Sequence, residues 1–132
     1  MDQQRSAFRG SAVKSPGSAY SPSSTQQAQG PRDVVPVRGG QLYVVIRRRL
    51  QELRKDHPTW RILTQALELT TEMATFRAEV RDENDVVVAT GHDRAFGENC
   101  VPLAETGAIG RAISVVGYGS DDVLERIEEE EE

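Results

Sequence analysis

The sequence has little of what builds a catalytic or metal centre. Cys100 is its one cysteine, so no intrachain disulfide can form. With His57 and His92 as its two histidines, a Cys/His zinc site has too few ligands. No nucleophile, histidine and carboxylate fall into a recognisable catalytic set. Gly107 and Gly110 do not form a phosphate loop, because the Lys-Ser/Thr pair is missing and both glycines fall inside a predicted helix. No apolar run is long enough to span a bilayer, and the N-terminus has no hydrophobic signal core. The expectation is a non-enzymatic protein with no cofactor, no metal and no membrane partner.

What is present is unevenly spread. Residues 1–38 are dominated by Ser, Gln, Gly, Pro and Ala. Phe8, Tyr20 and scattered valines are too sparse to offset an ordering entropy of about 1–2 kcal/mol per residue. This stretch reads as a disordered, basic, low-complexity arm. Pro31, Pro36, Gly39 and Gly40 mark its border with a domain spanning residues 39–119, and residues 120–132 read as an acidic tail. The formal net charge of −5 divides into +3 on the arm, −1 on the domain and −7 on residues 121–132. The acidic balance therefore describes the tail, and the near-neutral domain can still carry a basic groove. A domain this small is marginal alone, which favours oligomerisation.

Periodicity predicts the elements of the domain. Leu42, Ile46, Leu50 and Leu53 form one apolar stripe of a helix over residues 41–56, ended by Asp56-His57-Pro58. Residues 60–69 read as a strand without a clean period of two. Over residues 73–81, Ala74, Phe76, Ala78 and Val80 alternate with Thr75, Arg77, Glu79 and Arg81, the pattern of a sheet with one buried face. Asp82-Glu83-Asn84-Asp85 is a polar turn, residues 86–92 a third strand and residues 93–100 a loop. A second helix over residues 101–116 has Pro102 in its first turn and Gly117-Tyr118-Gly119 as its stop. The predicted fold is α+β in the order α-β-β-β-α, an antiparallel three-stranded meander with helices packed on one face and disordered tails.

The stretch ENCVPLAETGAIGRAISVVGYG, residues 98–119, resembles the C-terminal helix signature of phage single-strand annealing and single-stranded-DNA-binding proteins. VxATGH in residues 86–92 and YVxxRxR in residues 43–49 resemble the same group. The element order is also similar to that of the Rad-fifty-two-type annealing core. The resemblance covers about residues 41–119; Gly107 stands where the group usually has Ser, and the loop before the last helix is short. It implies a homo-oligomeric ring or filament that holds single-stranded DNA, or RNA, in a positively charged groove during recombination or replication. It also implies the cytoplasm of a bacterium or a phage-infected host.

The densest basic cluster is Arg47, Arg48 and Arg49 with Arg54 and Lys55. On a helix these cations would track phosphates while Tyr43 stacks on a base; the plainer reading is a solvated face balanced by Glu52 and Asp56. Arg77 and Arg81 project from one strand face and, with Arg61 and Arg94, would extend a basic surface, unless paired with Glu72 and Glu79. In the last helix Ala104, Gly107, Gly110 and Ser114 offer small residues for a contact between subunits, with Arg111 as a further nucleic-acid contact; the plainer reading is close packing within one subunit. Trp60 reads as a core anchor, with a base-stacking platform as the alternative. The acidic tail either repels, competes with DNA for the groove or docks a recombination or replication protein. The rival to strand binding is a non-enzymatic, oligomeric interaction module that meets a basic partner through this tail.

Overall fold

The computed structural model describes residues 33–131. The element order is β1 (Val34–Pro36), β2 (Leu42–Val44), α1 (Ile46–Asp56), β3 (Arg61–Leu69), β4 (Met73–Arg81), β5 (Val87–Phe96), α2 (Cys100–Val115) and α3 (Ser120–Glu130). β3, β4 and β5 form the antiparallel meander in sequence order, and β1 and β2 form a separate two-stranded ribbon. The α+β class and the α-β-β-β-α order at its centre are as the periodicity predicts.

β4 is the centre of the sheet, and its alternation is the reason. Ala74, Phe76, Ala78 and Val80 are buried, whereas Met73, Thr75, Arg77, Glu79 and Arg81 are partly exposed on the other face. α2 lies over the buried face, against all three strands, and α1 packs against α2 and α3. The side of α2 turned to the sheet is built from Ala104, Ala108 and Ala112, all fully buried. Such short side chains bring the helix axis close to the strands. At Gly91 on β5 the approach is tightest, for a methyl group there would overlap the backbone of Ala108 and Ala112.

β3 lacks a clean period because it carries a bulge. Ile62 pairs with Val80, Thr64 with Ala78 and Ala66 with Phe76; the register then shifts, so that Leu69 pairs with Ala74. The extra residue, Leu67, moves the second half of the strand into the opposite phase. The β4–β5 turn is the polar one expected: the Asp82 carboxylate accepts from the N–H groups of Asn84 (2.8 Å) and Val86 (3.0 Å), and Asp85 takes a φ of 65°. α2 ends in a Schellman motif on Gly117 (φ 98°), with Tyr118 N–H donating to Ile113 O at 2.9 Å and Gly117 N–H to Ser114 O at 3.2 Å.

Four expectations need correction. Residues 1–32 of the predicted disordered arm lie outside the described residues, but the border at residue 38 is too late. Val34, Val35 and Pro36 pair with Val44, Tyr43 and Leu42 across a turn made by Gly39 and Gly40, both at positive φ. The first helix begins at Ile46, because residues 42–44 are spent on that ribbon. The third strand runs on to Phe96, through the first half of the predicted loop, since Ala89, Gly91, Asp93 and Ala95 all stay on the helix side. Finally, the acidic tail is a helix. Val123 and Ile127 of α3 are buried in the core, the Asp122 carboxylate accepts from Gly119 N–H (3.0 Å), and Ser120 Oγ accepts from Val44 N–H (2.8 Å), tying α3 to the ribbon.

Candidate nucleic-acid interface

The predicted site residues fall into three places. The first is the exposed side of α1, where each cation but one meets a carboxylate. Arg47 reaches Asp33 at 2.6 Å. Arg48 reaches Asp33 (3.3 Å), Glu52 (3.0 Å) and Glu130 (3.4 Å). Lys55 lies 3.4 Å from Glu52 and 3.8 Å from Glu130. Arg126 of α3 adds contacts to Glu52, at 2.8 Å, and to Asp56. Burial alone would raise Glu52, yet the hydrogen bonds from Arg48 and Arg126 outweigh it and hold the carboxyl below its usual range. Asp33 behaves alike between Arg47 and Arg48. The folded α3 thus sets carboxylates against α1, and the cluster is close to neutral. Arg54 is exposed and has no ion pair among the described residues.

The second place is a cleft of about 280 Å³ between β2, α1 and α2. It gathers Tyr43, Arg49, Gly107, Gly110, Arg111 and Ser114, six predicted residues from three elements. Their roles are not those expected. Arg49 is buried, 4% exposed, and faces no carboxylate. It donates to Tyr118 O (2.9 Å), Gly110 O (2.8 Å), Ser114 Oγ (2.9 Å) and Tyr43 Oη (3.1 Å). All four acceptors are used inside the fold, so Arg49 is no phosphate contact, and its guanidinium also lies 5.9 Å from the centre of the Tyr43 ring. Ala104 is fully buried and cannot meet a second subunit. Gly107 makes room for Asp93, whose carboxylate a methyl group would strike, and Gly110 packs beside Ile46 and Arg49. Ala104 therefore serves packing within one chain, whereas Gly107 and Gly110 are half-buried and Ser114 is exposed along the cleft. Arg111 remains exposed at the rim, 3.7 Å from Asp93.

The third place is the open face of the sheet, where the strands set side chains in rows. Arg61 stands opposite Arg81, Leu63 opposite Glu79 and Gln65 opposite Arg77. On the other flank Thr90 stands opposite Glu79, His92 opposite Arg77, Arg94 opposite Thr75 and Phe96 opposite Met73. Two arginines in direct opposition repel, and Asp85 relieves this by pairing with both Arg61 and Arg81. Glu79 pairs with Arg81 (2.8 Å) and Arg77 (2.9 Å). Arg61, Asp85, Arg81, Glu79 and Arg77 so form one continuous ladder of three cations on two carboxylates. Among the described residues, Arg77 Nε is a buried side-chain nitrogen with no hydrogen-bond partner. Arg94 extends the face, bound to Glu68 (3.0 Å) and Thr75 Oγ1 (2.9 Å).

Gln65, His92, Met73 and Phe96 belong to this face and were not among the predicted residues. The signal was available: between residues 89 and 96, small residues alternate with Thr90, His92, Arg94 and Phe96. Trp60 anchors the start of β3 half-buried, stacked on His57 at 3.7 Å, with Nε1 donating to Glu83 at 3.1 Å.

Among the described residues no group of three or more His, Cys, Asp or Glu is placed to hold a metal ion. None of their helices is long and apolar enough to cross a membrane. No curated protein matches the chain. A family model described as Slr1353 N-terminal dsRNA-binding domain-like matches residues 50–116, from the middle of α1 to the last residues of α2. That span takes in the second half of α1, the whole meander and all of α2, just over half of the chain, and the chain belongs to this Slr1353 N-terminal dsRNA-binding domain-like family.

Proposed function

We propose that this chain is a non-enzymatic nucleic-acid-binding protein that holds a single strand, without sequence preference, on the open face of its sheet. The observation that carries the reading is the ladder of Arg61, Arg81 and Arg77 on two carboxylates. It leaves a surplus cation on a face that none of the described helices covers. Phosphates compete well for such guanidiniums, because Arg binds them through two parallel hydrogen bonds.

The family description names double-stranded RNA, and it favours nucleic acid over a purely protein partner. Duplex binding has less support from the residues. A helix N-terminus aimed at phosphates is the obvious clamp, yet α2 has no Lys or Arg in its first two turns, is preceded by Glu98 and carries Glu105 in its second turn. The rival, a non-enzymatic oligomeric interaction module that meets a basic partner through the acidic tail, keeps exposed carboxylates on α3 but draws no support from the family description. Strand annealing is the finer reading, carried by the resemblance of residues 98–119 to the phage annealing group. Copies of the chain in a ring or filament would hold bound strands by their phosphates and leave the bases not stacked on the protein free to pair.

Fluorescence anisotropy with a labelled oligonucleotide tests the reading. The single strand is expected to bind more tightly than a duplex of equal length, with a log–log salt slope of about −2 for three phosphate contacts. Arg77→Gln with Arg81→Gln is expected to lower affinity and flatten that slope. Absence of binding at low salt, or a preference for the duplex, overturns it.

A further inference from the structure

We propose that Phe96 is a base-stacking platform at one end of this track, so that a bound strand runs along β4 with phosphates at the Arg61–Arg81 end and a stacked base at the Phe96–Met73 end. The inference rests on the preceding reading of the open face. Phe96 is 70% exposed, the most exposed large apolar side chain among the described residues. It sits on the same face as Arg94, two residues earlier, and opposite Met73. Its backbone is held in place: Gly97, at a φ of 101°, ends the strand and donates its N–H to Glu72 O at 2.8 Å. The ring therefore projects from a fixed strand end, and binding has only its two side-chain torsions to order.

Charge decides between the two occupants such a ring invites. The face sets Arg61, Arg77, Arg81 and Arg94 against Asp85, Glu79 and Glu68, so a second copy placed face to face would meet the same surplus cation and gain no charge complementarity. A single strand meets the same row with opposite charge and offers a flat π-face to the phenyl ring. The distance from Arg81 to Met73 along β4, eight residue steps, is about 26 Å. That is room for a short oligonucleotide, at the low end of the roughly 4–16 nucleotides that comparable single-strand surfaces occupy.

The test compares two probes on the full chain, oligodeoxythymidine and an abasic oligomer of equal length and charge. Phe96→Ala is expected to weaken binding to oligodeoxythymidine about tenfold and to leave the abasic probe and the salt slope unchanged. Phe96→Tyr is expected to restore it. Equal weakening on both probes, or no weakening while Arg77→Gln and Arg81→Gln still act, overturns the stacking role and leaves the open-face reading standing. A drop in light-scattering mass for Phe96→Ala without loss of base discrimination assigns the ring to contact between copies and also overturns it. If the unaltered chain binds neither probe, the open-face reading fails and the stacking role with it.

Discussion

Arg49 Nε donates to the carbonyl oxygen of Tyr118 at 2.9 Å, just beyond the C-terminal end of α2. Nη2 reaches Gly110 O in the same helix, so the buried cation sits against the negative end of a helix dipole instead of a carboxylate. Its fork holds α1, α2 and the turn that leads into α3 together. Arg49→Met strands those acceptors and is expected to destabilise the fold by about 2–4 kcal/mol. Arg49→Lys is expected to recover little, because one ammonium cannot span acceptors arranged for a planar fork. Urea unfolding measures both. Folded Arg49→Lys protein is expected to bind oligonucleotide as the unaltered chain does; a selective loss of binding at full stability would return Arg49 to the interface.

The α1–α3 contact makes stability depend on pH at both ends. Asp56 is held low by the hydrogen bond from Tyr118 and by Arg126, and Glu52 and Asp33 are held low by their arginines against the effect of burial. A carboxyl depressed in the folded state stabilises above its unfolded value, here 3.8 to 4.5, and that contribution is lost as pH falls through the folded value. Tyr118 is pushed from 10.0 up to about 12, by burial first and by Asp56 second. Its contribution is full below pH 10 and is lost as pH rises towards the folded value. Thermal melts across pH are expected to show an acid limb that Glu52→Gln flattens and an alkaline limb that Tyr118→Phe flattens. An alkaline limb identical in Tyr118→Phe would remove this residue from the account.

Truncation after Gly119 separates a tail from a structural helix. Loss of α3 exposes the pocket of Val123 and Ile127 and leaves Val44 N–H without Ser120 Oγ. Two buried aliphatic side chains are together worth about 3 kcal/mol or more, so the truncated chain is expected to unfold at markedly lower urea concentration or not to fold. A truncated chain of unchanged stability would make residues 120–131 the dispensable tail that their charge suggests.

The central meander was legible because β4 alternates strictly, and the stop of α2 was legible because Gly117 permits a positive φ. The elements misread share a cause: tertiary contacts decided them. Leu42 and Ile46 continue an apolar spacing of four, yet Leu42 lies on a strand because Pro36 pairs with it. Residues 120–130 are dominated by their acidic charge, and the i, i+4 pair of Val123 and Ile127 was too sparse to stand out against it. The candidate site was legible in residue type more than in place. Arginines were rightly singled out, but only strand register could separate Arg77 and Arg81, which share a face with Arg94, from Arg49, which one turn of helix carries into the interior.

Two glycines that contact the same pair of elements are expected to respond differently. A methyl at Gly91 meets backbone, Ala108 O and Ala112 N, which can move only if α2 lifts from the sheet. Gly91→Ala is therefore expected to destabilise by about 1–3 kcal/mol, the cost of overpacking. A methyl at Gly107 meets the Asp93 carboxylate, which can turn aside, and Asp93 Cβ at 3.0 Å, which needs only a few tenths of an ångström of give in β5. Releasing Asp93 also frees Arg111, 3.7 Å away, and alanine gains about 1 kcal/mol over glycine within a helix. Gly107→Ala is thus expected to be neutral or stabilising and, with Asp93 displaced from Arg111, to strengthen oligonucleotide binding modestly if Arg111 contacts phosphate. Parallel urea melts and anisotropy titrations of the two variants check this. Equal destabilisation by both would mean that Asp93 is as immobile as backbone, and unchanged binding by stable Gly107→Ala would leave Arg111 outside the interface.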